Sequence, residues 1–142
     1  MTMDIVFTDD VKYQIQGTLP YEVIYNRKWY AVWKVFEVKD SGLYSFVQHT
    51  GPYPEGEVIP NVSSYDIGRY AGGDGFHSFV HKQDAIRFAE SFDNAGSYII
   101  KRIYVTEISS AGLNNGLLTT ISQYMLICNI HDADLQLKKL HF

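Results

Sequence analysis

Cysteine is almost missing from this sequence. Cys128 stands alone among 142 residues, so the chain closes no disulfide within itself and builds no metal site from paired thiolates. Inside the apolar run Tyr124–Cys128 that thiol reads as a small hydrophobe. Basic clusters are missing too. Lys and Arg number 12 against 16 Asp and Glu, giving a net charge of −4, and no basic run exceeds two residues. A protein that grips a nucleic-acid backbone normally carries a basic stripe, so nucleic acid is not the expected partner. A protein with a basic surface suits this charge better. No stretch approaches the ~20 apolar residues that a membrane helix needs. The segment Met1–Asp10 is acidic where a signal peptide would be apolar. The expected location is therefore the cytoplasm, and Asn61-Val62-Ser63 is read as an accidental sequon.

Aromatic residues are abundant instead. Tyr (11), Phe (8) and Trp (2) make up 15% of the chain, a surplus that suits strand faces, interfaces and stacking pockets. With 46% apolar and 20% charged residues, the composition is that of one globular domain with a single core.

Residues 1–28 are polar and read as an irregular segment with scattered apolar anchors. Trp29–Val38 is aromatic and β-branched, Asp40-Ser41-Gly42 is a turn, and Leu43–Gln48 returns, which together predict a hairpin. Pro52, Pro54 and Pro60 predict a long loop over 49–64, and Tyr65–Tyr70 a short strand before the run Ala71–Gly75. Phe76–Val80 reads as a strand leading into a helix over Lys82–Phe92. There Ala85, Phe88, Ala89 and Phe92 recur at helical spacing, His81 falls at the N-cap and Asp84 at the third helical position. Asn94-Ala95-Gly96 closes the helix. Tyr98–Ile108 is a strand, Ser109–Gly116 a loop, Leu117–Ile130 a further strand, and Asp132–Phe142 a final strand or helical turn. The expected fold is a single α+β domain over 1–142, a twisted and mostly antiparallel sheet with one main helix near 82–93.

Few motifs carry chemistry. His77 and His81 stand four apart, but the strand-to-helix junction between them and the missing acidic partner remove the metalloprotease reading, so no metal is expected. Gly72-Gly73-Asp74-Gly75 opens onto a strand and lacks the Lys-Ser/Thr of a phosphate loop. The segment Tyr65–Phe79 is the best candidate site. Tyr65, Arg69, Tyr70, Phe76 and His77 surround its glycines, and aromatic faces beside a guanidinium suit a flat ring that carries an anion.

Four segments in order, Gly75–Phe79, Asp84–Glu90, Tyr98–Val105 and Ser122–Asn129, resemble the second half of an ADP-ribosyltransferase-like domain. The resemblance implies an NAD-binding fold with a catalytic glutamate near the start of the late strand. Gln123 stands at that place, Lys34 is the nearest polar residue on the first strand, and Glu107 is a substitute carboxylate. A neutral amide does not supply the charge that supports a cationic sugar transition state. The run Tyr65-x-x-Gly68 with GFHSF and QDAIRFA is also similar to small uncharacterised proteins of phages and mobile elements. The expected function is therefore a non-catalytic binding or inhibitor protein. It would capture a host protein or a nucleotide-like small molecule through an aromatic-rich surface that includes Tyr65, Arg69, Tyr70, Phe76, His77 and Gln123. The alternative is an NAD-dependent ADP-ribosyltransferase-like enzyme. No cofactor is expected under the first reading and NAD under the second. An exposed edge such as the tail strand would permit homo-oligomers.

Overall fold

The computed structural model describes residues 7–24, 26–61, 75–93 and 96–127. It opens with a helix where the sequence predicted irregular chain, α1 (Asp9–Thr18). The Thr8 hydroxyl accepts the Val11 amide at 3.2 Å, and Asp9 and Asp10 sit at the positive end of the helix dipole. Val11, Ile15 and Leu19 recur every fourth residue, and this stripe joins the main core, with Ile15 and Leu19 buried. So polar a segment holds its helix by that one face. β1 (Tyr21–Ile24) follows, and a turn with Asn26 in left-handed conformation (φ 64) leads into β2 (Arg27–Lys39). The irregular stretch predicted over 1–28 is thus a helix and a strand from Asp9 onward.

β2 pairs antiparallel with β1, and across the predicted turn with β3 (Gly42–Ser45), which is shorter than expected. Within the proline loop β4 (Val58–Pro60) forms, a strand the sequence analysis did not anticipate, and its Pro60 lies at the strand end where no ladder donor is needed. β5 (Phe76–Phe79), α2 (Lys82–Glu90), β6 (Tyr98–Asn114) and β7 (Leu117–Leu126) complete the order. The predicted strand at 65–70, the glycine run at 71–74, Cys128 and the tail 132–142 lie outside the described residues.

β6 runs on to Asn114, so the predicted loop at 109–116 reduces to its last two residues. Asn115 and Gly116 both have positive φ, 53 and 80, the two-residue turn that matches the twist of a hairpin. Ser109–Asn114 remain in the ladder because β7 supplies a partner, and a register shift between Ile108 and Ser110 absorbs one extra residue. Just before it, Glu107 is left-handed (φ 54). Val105, Ile108 and Ala111 consequently all join one core at a spacing of three, where an undisturbed strand would alternate by two.

The described strands form one sheet, antiparallel at every pairing, that closes on itself. β2 pairs with β6, β6 with β7, β7 with β5, and β5 returns to β2 at a single residue pair, Trp33↔Phe79. The α+β expectation of a mostly antiparallel sheet holds, with α1 as a second helix beside the expected one. β5 and β6 run in the same direction without pairing, each beside β7, so α2 is a crossover between parallel strands. Inside the ring Val32, Phe36, Ile103, Val105 and Met125 are fully or almost fully buried. α2 covers the other face with Ala85 and Ala89 against Val35 and Phe79. Among the described residues no helix is long and apolar enough to cross a membrane.

α2 starts at His81 without a side-chain cap, as that residue type leads one to expect. Asp84 instead reaches out of the first turn. Its Oδ2 accepts the Leu118 amide at 3.0 Å, with Arg87 at 3.7 Å from the other oxygen. One buried carboxylate thereby fastens the helix to β7. Asp84→Ala leaves the Leu118 amide unpaired and is expected to cost about 1–3 kcal/mol in urea unfolding, whereas Arg87→Ala, on an exposed pair, changes stability by about 0.5 kcal/mol at most.

Candidate functional site

Phe76, His77 and Gln123, three of the six residues singled out above, all lie on the β5–β7 ladder, but Phe76 faces the core and His77 and Gln123 the opposite side. Phe76 pairs with Ser122 and His77 with Ile121, two residues before Gln123. Tyr65, Arg69 and Tyr70 lie outside the described residues. Phe76 is half-buried and packs on the core, edge-on to Tyr53 at 6.4 Å, with Phe36 on Tyr53 in turn at 6.0 Å. Burial pushes the Tyr53 hydroxyl above its usual range, against hydrogen bonds from Thr50 and Ser45 that pull it down. The Gln123 amide is engaged as well. Its Nε2 donates to Ser109 Oγ at 3.1 Å and its Oε1 accepts from Asn61 Nδ2 at 3.1 Å. Asn61 and Gly75, the described residues on either side of 62–74, thus both stand against Gln123.

Lys34 is central to this seam. Past Trp33↔Phe79 the two strands share no further pair, and Lys34 Nζ spans them by donating to the His77 carbonyl at 2.7 Å. Strand alternation turns Lys34 and Ser78 to the side opposite Trp33 and Phe79. Ser78, Thr120 and Ser122 are buried there, and their hydroxyls have no hydrogen bond among the described residues. Burial lowers the Lys34 ammonium to about 8. Glu107 is not part of this group: it lies at the surface, 3.1 Å from Arg27. Lys34, Gln123 and Glu107 therefore each have a separate local partner. His77, on β5, and His81, at the N-cap of α2, belong to no group of three or more His, Cys, Asp or Glu among the described residues.

An open cleft lies elsewhere, at the far end of α2. Phe46 meets Phe92 at 5.0 Å, Tyr98 at 5.6 Å and Phe88 at 6.0 Å, all edge-to-face. Of these rings, Phe46 and Phe92 form one wall of a cleft of about 510 Å³ that Val47, Gly96 and Ser97 continue. Phe92 is 40% and Val47 42% exposed. The opposite rim is ionic. Glu37 Oε2 lies 2.9 Å from His49 Nδ1, Glu37 Oε1 lies 3.5 Å from Lys39, and Asp93 stands exposed beside Phe92. His49 is held in left-handed conformation (φ 61) as it meets Glu37. Ser97 shares the cleft, but among the described residues no hydrogen bond joins its hydroxyl to His49, and a serine–histidine–carboxylate relay needs that bond.

Phe46, His49, Phe92 and Asp93 are not among the site residues expected from the sequence. Phe88 and Phe92, four apart, were legible as one helical face. The helix, however, ends at Glu90, which releases Phe92 to the surface. Pairing of that face with Phe46 depends on long-range folding. Compared with family models, curated proteins and solved structures, the chain matches none.

Proposed function

We propose that this chain is a non-catalytic binding protein that captures a partner protein by a basic side chain in the Phe46–Phe92 cleft. One observation carries the reading: half-buried Phe46 and exposed Phe92, 5.0 Å apart, stand beside two carboxylates, Glu37 and Asp93, in a cleft of about 510 Å³. A guanidinium or ammonium gains from ring faces and from carboxylates together, and it is the group that this wall and rim both favour. The net charge of −4 steers a basic partner toward the whole chain. The resemblance to small phage and mobile-element proteins extends the reading to an inhibitor that sequesters a host protein.

The test is titration of the full chain with a short arginine-containing peptide and its glutamine counterpart, followed by fluorescence anisotropy. Binding of the arginine peptide is expected to weaken about tenfold in Phe92→Ala and in Asp93→Lys, both at exposed positions. Equal binding of the two peptides, or binding indifferent to both substitutions, would refute the reading.

A further inference from the structure

At the opposite end of the molecule a second groove, of about 410 Å³, runs between α1, the β1–β2 turn and β6. Its charge is opposite to that of the chain. Lys12, Arg27 and Lys28 line it against one carboxylate, Glu107, which leaves a local excess of two positive charges in a protein of net −4. Two exposed tyrosines lie beside the cations: Tyr13 lines the groove, and Tyr21 borders it, its ring 6.0 Å from that of the lining Tyr30. Lys12 Nζ lies 4.9 Å from the centre of the Tyr13 ring and Lys28 Nζ 4.6 Å from that of Tyr21, and these rings are 65% and 51% exposed. The backbone is strained at the same place. Asn26 and Glu107 both line the groove and both adopt positive φ, 64 and 54, a conformation that costs a side-chain-bearing residue about 1 kcal/mol. At Glu107 it places the carboxylate 3.1 Å from the Arg27 guanidinium, fixing that side chain at the edge of the groove.

We propose that this groove binds a small phosphorylated molecule carrying a flat ring, with a nucleoside monophosphate as the simplest of its class. A phosphate monoester carries about two negative charges at neutral pH, which matches the local excess. Its three acceptor oxygens suit two ammonium groups and a guanidinium. The ring stacks on an exposed tyrosine, Tyr13 or Tyr21, already polarised by a neighbouring lysine. The volume is that of an ordinary small-molecule pocket. A long polyanion is a poorer fit, because the basic side chains elsewhere are scattered and give it no continuing track. The site shares no residue with the Phe46–Phe92 cleft and stands whether or not that cleft captures a partner.

Isothermal titration of the full chain with adenosine monophosphate, adenosine and inorganic phosphate tests the proposal. The monophosphate is expected to bind, with adenosine and phosphate each about tenfold weaker or more, and added salt should weaken it further. The double variant Lys12→Gln/Lys28→Gln should lose about tenfold in affinity for the monophosphate. Tyr13→Ala with Tyr21→Ala should bring the monophosphate down to the level of phosphate alone. A thermal melt of each variant checks folding, and Arg87→Ala, an exposed cation outside the groove, should bind as the parent does. No heat with about 5 mM monophosphate, or an unchanged affinity in the lysine variant, overturns the proposal. So does tighter binding of a short single-stranded DNA, which would make the groove a nucleic-acid surface.

Discussion

Gly75→Ala is expected to destabilise the fold by about 3 kcal/mol or more, lowering the melting temperature by about 10 °C. Gly75 enters β5 at φ 149, a region that side chains avoid, and its Cα lies flat against β7. A methyl group there would sit 2.7 Å from Ile121 Cγ2, 2.8 Å from the Ser122 carbonyl and 2.9 Å from Gln123 Nε2. Two of those atoms belong to buried residues, and one is backbone, so nothing nearby yields cheaply. β5 must move instead, and with it the Phe76–Ser122 register and the Lys34 bond to His77. Gly56→Ala is the matched control. Its φ is also positive, 84, but no atom lies within 4 Å of the added methyl, so only the backbone strain of about 1 kcal/mol remains. Chemical denaturation of the two variants separates contact from strain. Similar losses in both would show that Gly75 does not lie against β7.

What could be read in advance follows from how local each signal is. Trp29–Val38 and Tyr98–Ile108 were legible because β-branched and aromatic residues run unbroken there, and α2 because its alanines and phenylalanines share a face. α1 escaped notice although Val11, Ile15 and Leu19 hold the right spacing, since three apolar residues amid polar ones gain helicity only from the core they meet. The hairpin at Asn115-Gly116 had a short-range signature, overlooked because Ser109–Asn114 reads as loop composition until β7 pairs with it. Ring closure had no local signal at all. It rests on one ladder pair, Trp33↔Phe79, with the Lys34 bond to the His77 carbonyl beside it, between strands more than forty residues apart.

The candidate sites divide in the same way. Phe76, His77 and Gln123 lie on the paired strands β5 and β7, with Phe76 on the face opposite His77 and Gln123. The cleft around Phe46 and Phe92 and the groove around Lys12 and Lys28 were invisible because each is assembled from three separate segments. The cations of the second groove illustrate the point. Lys12 and Arg27-Lys28 count as scattered along the chain, yet α1 and the β1–β2 turn bring them to one concavity. Absence of a basic stripe in sequence therefore argues against a long nucleic-acid track, and not against a compact anion site.

Lys34 supplies the second large effect, and its sign is set by linkage. Burial lowers the native ammonium from an ordinary 10.5 to about 8, so the folded state releases this proton before the unfolded state does. Below about pH 8 both states are charged and the full burial cost is present. Between about 8 and 10.5 the unfolded chain binds more protons, and stability rises with pH as that cost is relieved. The interval corresponds to about 3 kcal/mol as an upper figure, reduced by solvent because Lys34 is only half-buried. Tyr53 acts in the opposite direction. Its hydroxyl is held above the usual 10, so the unfolded tyrosine ionises first and stability falls above that pH. Urea unfolding between pH 7.5 and 10 lies above the ordinary histidine range, and comparison with the variant cancels the tyrosine ionisation that both proteins share. Across it the parent is expected to gain about 1–3 kcal/mol relative to Lys34→Met, whatever the variant loses by leaving the His77 carbonyl without its donor. Parallel profiles for the two proteins would mean that Lys34 keeps an ordinary, solvated ammonium, and that the buried hydroxyls of Ser78, Thr120 and Ser122 face no perturbed charge.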